Sequence, residues 1–167
     1  MRKIFLLFIF CLVFSFVKIK ALEMDYAQNS KSAILMEAST GEVLFEKYPN
    51  EKLAPASMTK IMTLLLAMEA LERKEITLED EVLISSNASG MGGTQIFIET
   101  NTKVKVIDLL KGIGIASAND AAVAIAEYVG GTEENFADMM NKRAQELGAY
   151  NTNFKNSHGL DEANHYT

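Results

Sequence analysis

Residues 61–71 form a run that is apolar on nearly every side when it is drawn as a helix. That pattern is typical of a helix inside a domain core, because a surface helix keeps one polar face. The chain must therefore surround this segment with other secondary structure. The sequence predicts a buried helix that opens near Ser57 and runs to about Lys74.

Ser57 and Lys60 lie three residues apart at the start of this predicted helix. At that spacing two side chains are neighbours across one helical turn. A serine hydroxyl needs a nearby base to become a nucleophile, and a buried lysine with a lowered pKa can be that base. Unpaired N–H groups at the helix start would favour developing negative charge. The alternative is an N-cap serine beside a solvated lysine, since this spacing is common by chance.

A second segment, Ser117-Ala118-Asn119, begins 60 residues after Ser57. It separates two apolar stretches rich in small residues, residues 109–116 and residues 120–128. A Ser-x-Asn turn between two buried helices can direct a hydroxyl and an amide toward Ser57 and Lys60. The two segments together favour the catalytic interpretation.

With both segments considered, the chain resembles the penicillin-binding Ser-x-x-Lys serine acyl-transferases. Within that family it is most similar to the low-molecular-weight D-alanyl-D-alanine carboxypeptidases. The similarity covers roughly residues 30–167, and the number of blocks matched in order argues against chance. The matching blocks are residues 55–63, 117–122, 140–141, 144, 147–148, 156–160 and 165–167.

The resemblance implies a serine-type D-Ala-D-Ala carboxypeptidase that removes the terminal D-Ala of peptidoglycan stem peptides and binds penicillin. Ser57 would be the nucleophile, which β-lactams would acylate, and Lys60 the base that accepts its proton. Ser117 would relay a proton to the leaving D-Ala nitrogen, while Asn119 would hold the substrate amide and steady Lys60. The Ser57 backbone N–H would supply half of the oxyanion hole. No metal or organic cofactor is expected.

One element of the family, a Lys-Thr-Gly on a strand beside the nucleophile, has no counterpart in the 167 residues. We therefore expect a C-terminally truncated chain, in which residues 22–167 are the N-terminal portion of the catalytic domain. Alone, this portion is expected to be inactive and only marginally folded, with an exposed apolar face on the Ser57 helix. Two alternatives stay open: a serine β-lactamase, and a catalytically dead fragment or binding module. A β-lactamase would need a well-placed carboxylate to activate the deacylating water, and the Ser-Ala-Asn turn counts against it.

The N-terminus has the pattern of a secretory signal peptide over residues 1–21. Arg2 and Lys3 precede about 14 mostly large apolar residues, and Ala21 offers a small residue for cleavage. A membrane span is the alternative, but it normally needs about 20 apolar residues. The sequence predicts an exported, extracytoplasmic protein of the cell envelope. Membrane association is expected only through C-terminal parts that lie outside this sequence.

Charge and cysteine content exclude several classes of partner. Removing the four cations of residues 1–21 takes the net charge from −6 to −10, which disfavours nucleic acid and anionic membrane surfaces. The single cysteine, Cys11, would leave with the signal peptide, so no disulfide is available. His158 and His165 are the only histidines, and loop packing is favoured over a metal site for both.

The remaining elements indicate an α+β fold. Strands of a hairpin are predicted at residues 33–36 and 43–45, and short strands or extended edges at residues 82–84 and 96–98. Further helices are predicted at residues 106–111, 119–128 and 132–148, and a mobile surface loop at residues 90–94. The resemblance implies a β-lactamase/penicillin-binding transpeptidase-like domain, a sheet flanked by an inserted helical subdomain.

Overall fold

The computed structural model describes residues 26–167, so the predicted signal peptide lies outside the described residues. The described residues divide into two compact units, the first ending at Glu51 and the second comprising residues 52–167. Within residues 26–167 no helix is both long and apolar enough to cross a membrane.

The first unit contains the predicted β-hairpin. Strands β1 (Ala33–Met36) and β2 (Val43–Lys47) pair in antiparallel fashion, with Ala33 opposite Lys47. The Glu37 carboxylate holds the turn, because it accepts hydrogen bonds from the backbone N–H groups of Ser39 and Thr40. The hairpin prediction is confirmed.

The second unit is mainly helical and contains a short two-stranded sheet. A 3₁₀ turn at Ala56–Met58 leads directly into α1 (Thr59–Glu72), and β3 (Glu81–Leu83) pairs with β4 (Lys103–Lys105) in antiparallel fashion. The elements after the turn are α1 (Thr59–Glu72), β3 (Glu81–Leu83), α2 (Ser86–Ser89), β4 (Lys103–Lys105), α3 (Val106–Ala116), α4 (Asn119–Gly130) and α5 (Glu133–Glu146).

Helix α4 forms the centre of the second unit. Every residue from 119 to 126 is buried, and half of these side chains are alanine, so neighbouring helices can approach closely. The helix contacts α1, α3 and α5. This packing places the first residue of α4, Asn119, beside the first turn of α1.

Both ends of α5 agree with the capping pattern in the sequence. The Thr132 hydroxyl accepts a hydrogen bond from the backbone N–H of Asn135 at 3.1 Å, as an N-cap residue does. Gly148 follows the helix with φ +83°, a left-handed conformation that glycine adopts readily. The predicted helix over residues 132–148 is confirmed, and its observed helical part is Glu133–Glu146.

The exposed apolar face that was expected on the Ser57 helix is present on α1, since Ile61 is 70% exposed and Met68 is 56% exposed. The other helices cover only the face that carries Lys60, Thr63 and Ala67. One prediction about an apolar segment, the strand at residues 96–98, is wrong. Residues 96–98 form a loop and not a strand, because their backbone N–H groups bind a side chain of α4 and not a neighbouring strand.

Candidate active site

Ser57 lies in the 3₁₀ turn that precedes α1. The backbone N–H of Met58 donates to the carbonyl of the buried Pro55, which closes the turn, and Ala56 has φ +47°. The turn leaves Ser57 exposed while two residues that follow it, Thr59 and Lys60, are buried. The predicted position of Ser57 at the start of the helix is confirmed.

Lys60 is 3% exposed and makes three polar contacts through Nζ. The distances are 2.7 Å to Asn119 Oδ1, 2.7 Å to the His158 carbonyl oxygen and 3.3 Å to Ser57 Oγ. Among residues 26–167 no carboxylate lies within salt-bridge distance of the amine. Burial lowers the pKa of Lys60 because it disfavours the ammonium form. A larger fraction of the amine is then neutral and able to accept the proton of Ser57.

Asn119 links α4 to α1 and to the loop that follows α2. Its Oδ1 accepts from Lys60, its Nδ2 donates to the Gly92 carbonyl at 2.7 Å, and its backbone N–H donates to the Thr94 carbonyl at 2.7 Å. These contacts fix the orientation of the amide, with the oxygen toward the amine. The structure therefore brings Ser57, Lys60 and Asn119 together.

Ser117 differs from the other three candidate residues. It caps the C-terminus of α3 in the left-handed conformation, with φ +56° and ψ +36°, and is half-buried. In the described part of the chain no hydrogen bond joins its side chain to Ser57 or Lys60. Its predicted role as a proton relay stays a prediction.

The turn at residues 156–160 forms another wall of the site. Asn156 Oδ1 accepts hydrogen bonds from the backbone N–H groups of His158 and Gly159, which closes the turn. Gly159 has φ +89° and approaches the backbone of Ala56 so closely that there is no space for a side chain. The backbone carbonyl of His158 is thereby directed at Lys60.

Both histidines are buried and hydrogen-bonded, as expected for loop packing. His158 Nδ1 accepts from the Leu160 N–H, and His165 Nδ1 accepts from the Lys155 N–H while its Nε2 lies 2.8 Å from Thr59 Oγ1. Burial lowers the pKa of both rings. Within residues 26–167 no group of three or more His, Cys, Asp or Glu side chains is placed to hold a metal ion.

These elements surround a cleft of about 300 Å³ at the Ser57 side chain. Gly93 and Thr94 line the cleft, although the sequence prediction placed them in a mobile surface loop. Asp120 is fully buried and anchors this segment, because its carboxylate accepts from the backbone N–H groups of Ile96 and Ile98. In the sequence, Asp120 is recognisable only as the acidic residue that directly follows Asn119. An acidic residue at that position indicates no more than a favourable charge in the first turn of a helix.

Comparison with known proteins shows the family. Residues 19–167 match the family model described as D-alanyl-D-alanine carboxypeptidase. The D-alanyl-D-alanine carboxypeptidase DacF of Bacillus subtilis strain 168 is 54% identical over 143 residues, which are 86% of this chain and 37% of that protein. DacC of Escherichia coli strain K12 is 41% identical over 139 residues, 80% of this chain and 35% of that protein.

Solved structures show the same fold. The D-alanyl-D-alanine carboxypeptidase DacD from Francisella tularensis has a TM-score of 0.81 at 36% identity, over 83% of this chain and 34% of that one. Penicillin binding protein 5 from Haemophilus influenzae has a TM-score of 0.80 at 38% identity, over 83% of this chain and 41% of that one. The predicted α+β fold class is confirmed.

The fold is that of penicillin-binding serine acyl-transferases. The chain belongs to the D-alanyl-D-alanine carboxypeptidase family, as the sequence resemblance implied. It spans a little over a third of the length of the curated relatives it matches. The β-lactamase alternative gains no support from these matches.

Proposed function

We propose that this chain carries the nucleophile and the base of a serine-type D-Ala-D-Ala carboxypeptidase that acts on peptidoglycan stem peptides. The observation that carries the proposal is the exposed Ser57 hydroxyl, 3.3 Å from the amine of a buried lysine that has no carboxylate partner among the described residues. Burial lowers the pKa of this amine, which increases its neutral fraction, and a neutral amine beside a serine is a general base. Family membership supports the choice of substrate.

In the proposed reaction, Ser57 Oγ attacks the carbonyl carbon between the two D-Ala residues while its proton passes to Lys60 Nζ. The tetrahedral intermediate places its negative oxygen at the Ser57 backbone N–H, which supplies half of the oxyanion hole. The C–N bond then breaks, Ser117 relays a proton to the leaving D-Ala nitrogen, and an acyl-enzyme remains. Water hydrolyses the ester and restores Ser57. Asn119 steadies Lys60 and holds the substrate amide.

We also propose that residues 22–167 are the N-terminal portion of the catalytic domain and that residues 1–21 are a signal peptide. Two observations support the assignment of residues 22–167 to the N-terminal portion of a domain. The 167 residues contain no Lys-Thr-Gly, and the hairpin exposes apolar side chains that a larger sheet would cover. These exposed side chains are Ile34, Leu35, Met36, Val43 and Leu44.

The proposed activity is tested with the complete gene product and a synthetic peptide that ends in D-Ala-D-Ala. We expect release of one D-Ala per peptide, together with a penicillin adduct that decays slowly. Rapid turnover of penicillin without D-Ala release would instead identify a β-lactamase. A folded protein that shows neither reaction would contradict the enzymatic proposal and favour the binding-module alternative.

Export is a separate prediction. The basic start and the apolar run of residues 4–17 should direct the chain across the membrane, with cleavage after Ala21. N-terminal sequencing of the protein purified from the cell envelope is expected to begin near Leu22. A mature protein that still carries Met1 would contradict export by a cleaved signal.

A further inference from the structure

Glu133, on α5, contacts the turn at residues 156–160. It lies in the first turn of α5, and its side chain is 18% exposed. Its Oε1 accepts two hydrogen bonds from Ser157, one from the backbone N–H at 3.0 Å and one from the hydroxyl at 2.6 Å. Hydrogen bonds to an ionised carboxylate are roughly twice as strong as those between neutral groups. Glu133 is therefore a strong anchor for Ser157.

Helix α1 also binds this turn. The Thr63 hydroxyl donates to the carbonyl of Ser157 at 2.6 Å, and Lys60 Nζ donates to the carbonyl of His158 at 2.7 Å. Lys60 and Thr63 are three residues apart, so they present neighbouring donors to two successive carbonyls. The turn is held between Glu133 on α5 and these two side chains on α1.

The His158 ring adds a second contact to Glu133. Its Nδ1 accepts from the Leu160 N–H at 3.1 Å, so the ring proton of the neutral imidazole is on Nε2. Nε2 lies 3.5 Å from Glu133 Oε1, which is long for a hydrogen bond but favourable for the charge of the carboxylate. Glu133 Oε1 thus contacts both Ser157 and His158, the two residues whose carbonyls accept hydrogen bonds from α1.

We propose that Glu133 is a positioning residue for Lys60, acting through Ser157 and the carbonyl of His158. Glu133 lines a separate cavity of about 690 Å³ and does not line the cleft at Ser57, so it does not touch a substrate in that cleft. Without its two bonds to Ser157, the turn loses its anchor on α5 and the His158 carbonyl is no longer held against the amine. Only the kinetic consequence of this inference, a slower acylation of Ser57, rests on the proposed function.

The test compares variants of the complete gene product. Glu133→Ala removes the anchor, and Glu133→Gln keeps an acceptor oxygen for Ser157 without the charge. Glu134→Ala is the matched control, because Glu134 is the next acidic residue in the same helical turn and makes no hydrogen bond to residues 156–160 in the described structure. Thermal unfolding reports whether each variant is folded.

Two readouts separate positioning from general stability. The first is the acylation rate with a fluorescent penicillin, which should fall about 10–100-fold in Glu133→Ala, since a misplaced catalytic group costs up to about 10²-fold. The second is the NMR titration of the Lys60 side chain, assigned with Lys60→Ala. In Glu133→Ala the His158 carbonyl oxygen should no longer be held against Lys60 Nζ. Because this acceptor favours the ammonium form, its loss should lower the pKa of Lys60 by at least about half a unit. Glu133→Gln should fall between wild type and Glu133→Ala, and Glu134→Ala should match wild type.

The two proposals fail in different ways. A wild-type protein that forms no penicillin adduct contradicts the proposed function, whereas the Lys60 titration still tests Glu133. A folded Glu133→Ala protein with unchanged Lys60 titration overturns the positioning role. If Glu133→Ala does not fold, Ser157→Ala takes its place, because it removes only the hydroxyl donor. A Lys60 pKa lowered in Ser157→Ala then supports the inference, and an unchanged one overturns it.

Discussion

Replacing Ser57 by Ala is expected to abolish covalent labelling by a fluorescent penicillin, because the only proposed acyl acceptor is removed. Ser57 is exposed, so its loss should leave the thermal midpoint nearly unchanged. Ser86→Ala is the matched control, since Ser86 is also exposed and stands at the start of the helix α2. Labelled protein is measured by in-gel fluorescence after denaturation. Labelling of Ser57→Ala at full stoichiometry would show that the nucleophile is another residue.

Lys60→Ala completes the same experiment by removing the base and keeping the nucleophile. Acylation should slow by about 10²–10⁴-fold, the usual loss for a removed general base. Lys111→Ala is the control because Lys111 is 60% exposed and lies beside Asp108 on the surface. Lys60 also bridges α1 to Asn119 and His158, so the thermal midpoint is measured in parallel. A folded Lys60→Ala protein that acylates at the wild-type rate would exclude Lys60 as the base.

Elements that depend on local sequence were predictable. The β1–β2 hairpin, α1 with its Ser57 start, and α5 between Thr132 and Gly148 each carry their own turn or cap signals. The contact between Lys60 and Asn119 follows once both motifs are placed on buried helices. Packing of small residues on α4 then brings the two side chains together.

Elements that depend on distant partners were not predictable. Residues 96–98 are apolar and look like a short strand, but their N–H groups bind Asp120, more than twenty residues away. The exposed face of α1 could not be separated from its buried face, because apolar residues occupy both. The amino-acid composition of α1 does not identify which of its apolar faces packs against another helix.

The contact between Lys60 and the turn at residues 156–160 could also not be predicted from the sequence. The acceptor is the backbone carbonyl of His158, and a carbonyl oxygen is common to every residue. What distinguishes this carbonyl is the conformation of the turn, which Asn156 and Gly159 set. Gly159 is the position at which that conformation can be tested.

Gly159→Ala is expected to damage both stability and acylation. A Cβ at this position would clash with the Ala56 carbonyl oxygen and lie 2.9 Å from Thr59 Oγ1, and φ is +89°. The left-handed conformation costs about 1–2 kcal/mol for a non-glycine residue, and forcing backbones apart in a packed region costs about 1–3 kcal/mol more. The free energy of unfolding should therefore fall by about 2–5 kcal/mol, the sum of these two costs, as measured by urea denaturation.

Gly148→Ala separates the two causes of the stability loss, the left-handed backbone conformation and the steric clash. Gly148 has nearly the same backbone conformation, φ +83°, but no heavy atom lies within 4 Å of the place that a methyl group would take, so only the conformational cost of about 1–2 kcal/mol applies. Acylation should be normal in Gly148→Ala and reduced about 10²-fold or more in folded Gly159→Ala, because the clash displaces the backbone on both sides of the site. The displaced parts are the carbonyl that binds Lys60 and the turn that carries Ser57. Equal losses of stability and equal acylation rates in the two variants would show that the close approach of Gly159 to Ala56 does not position the site.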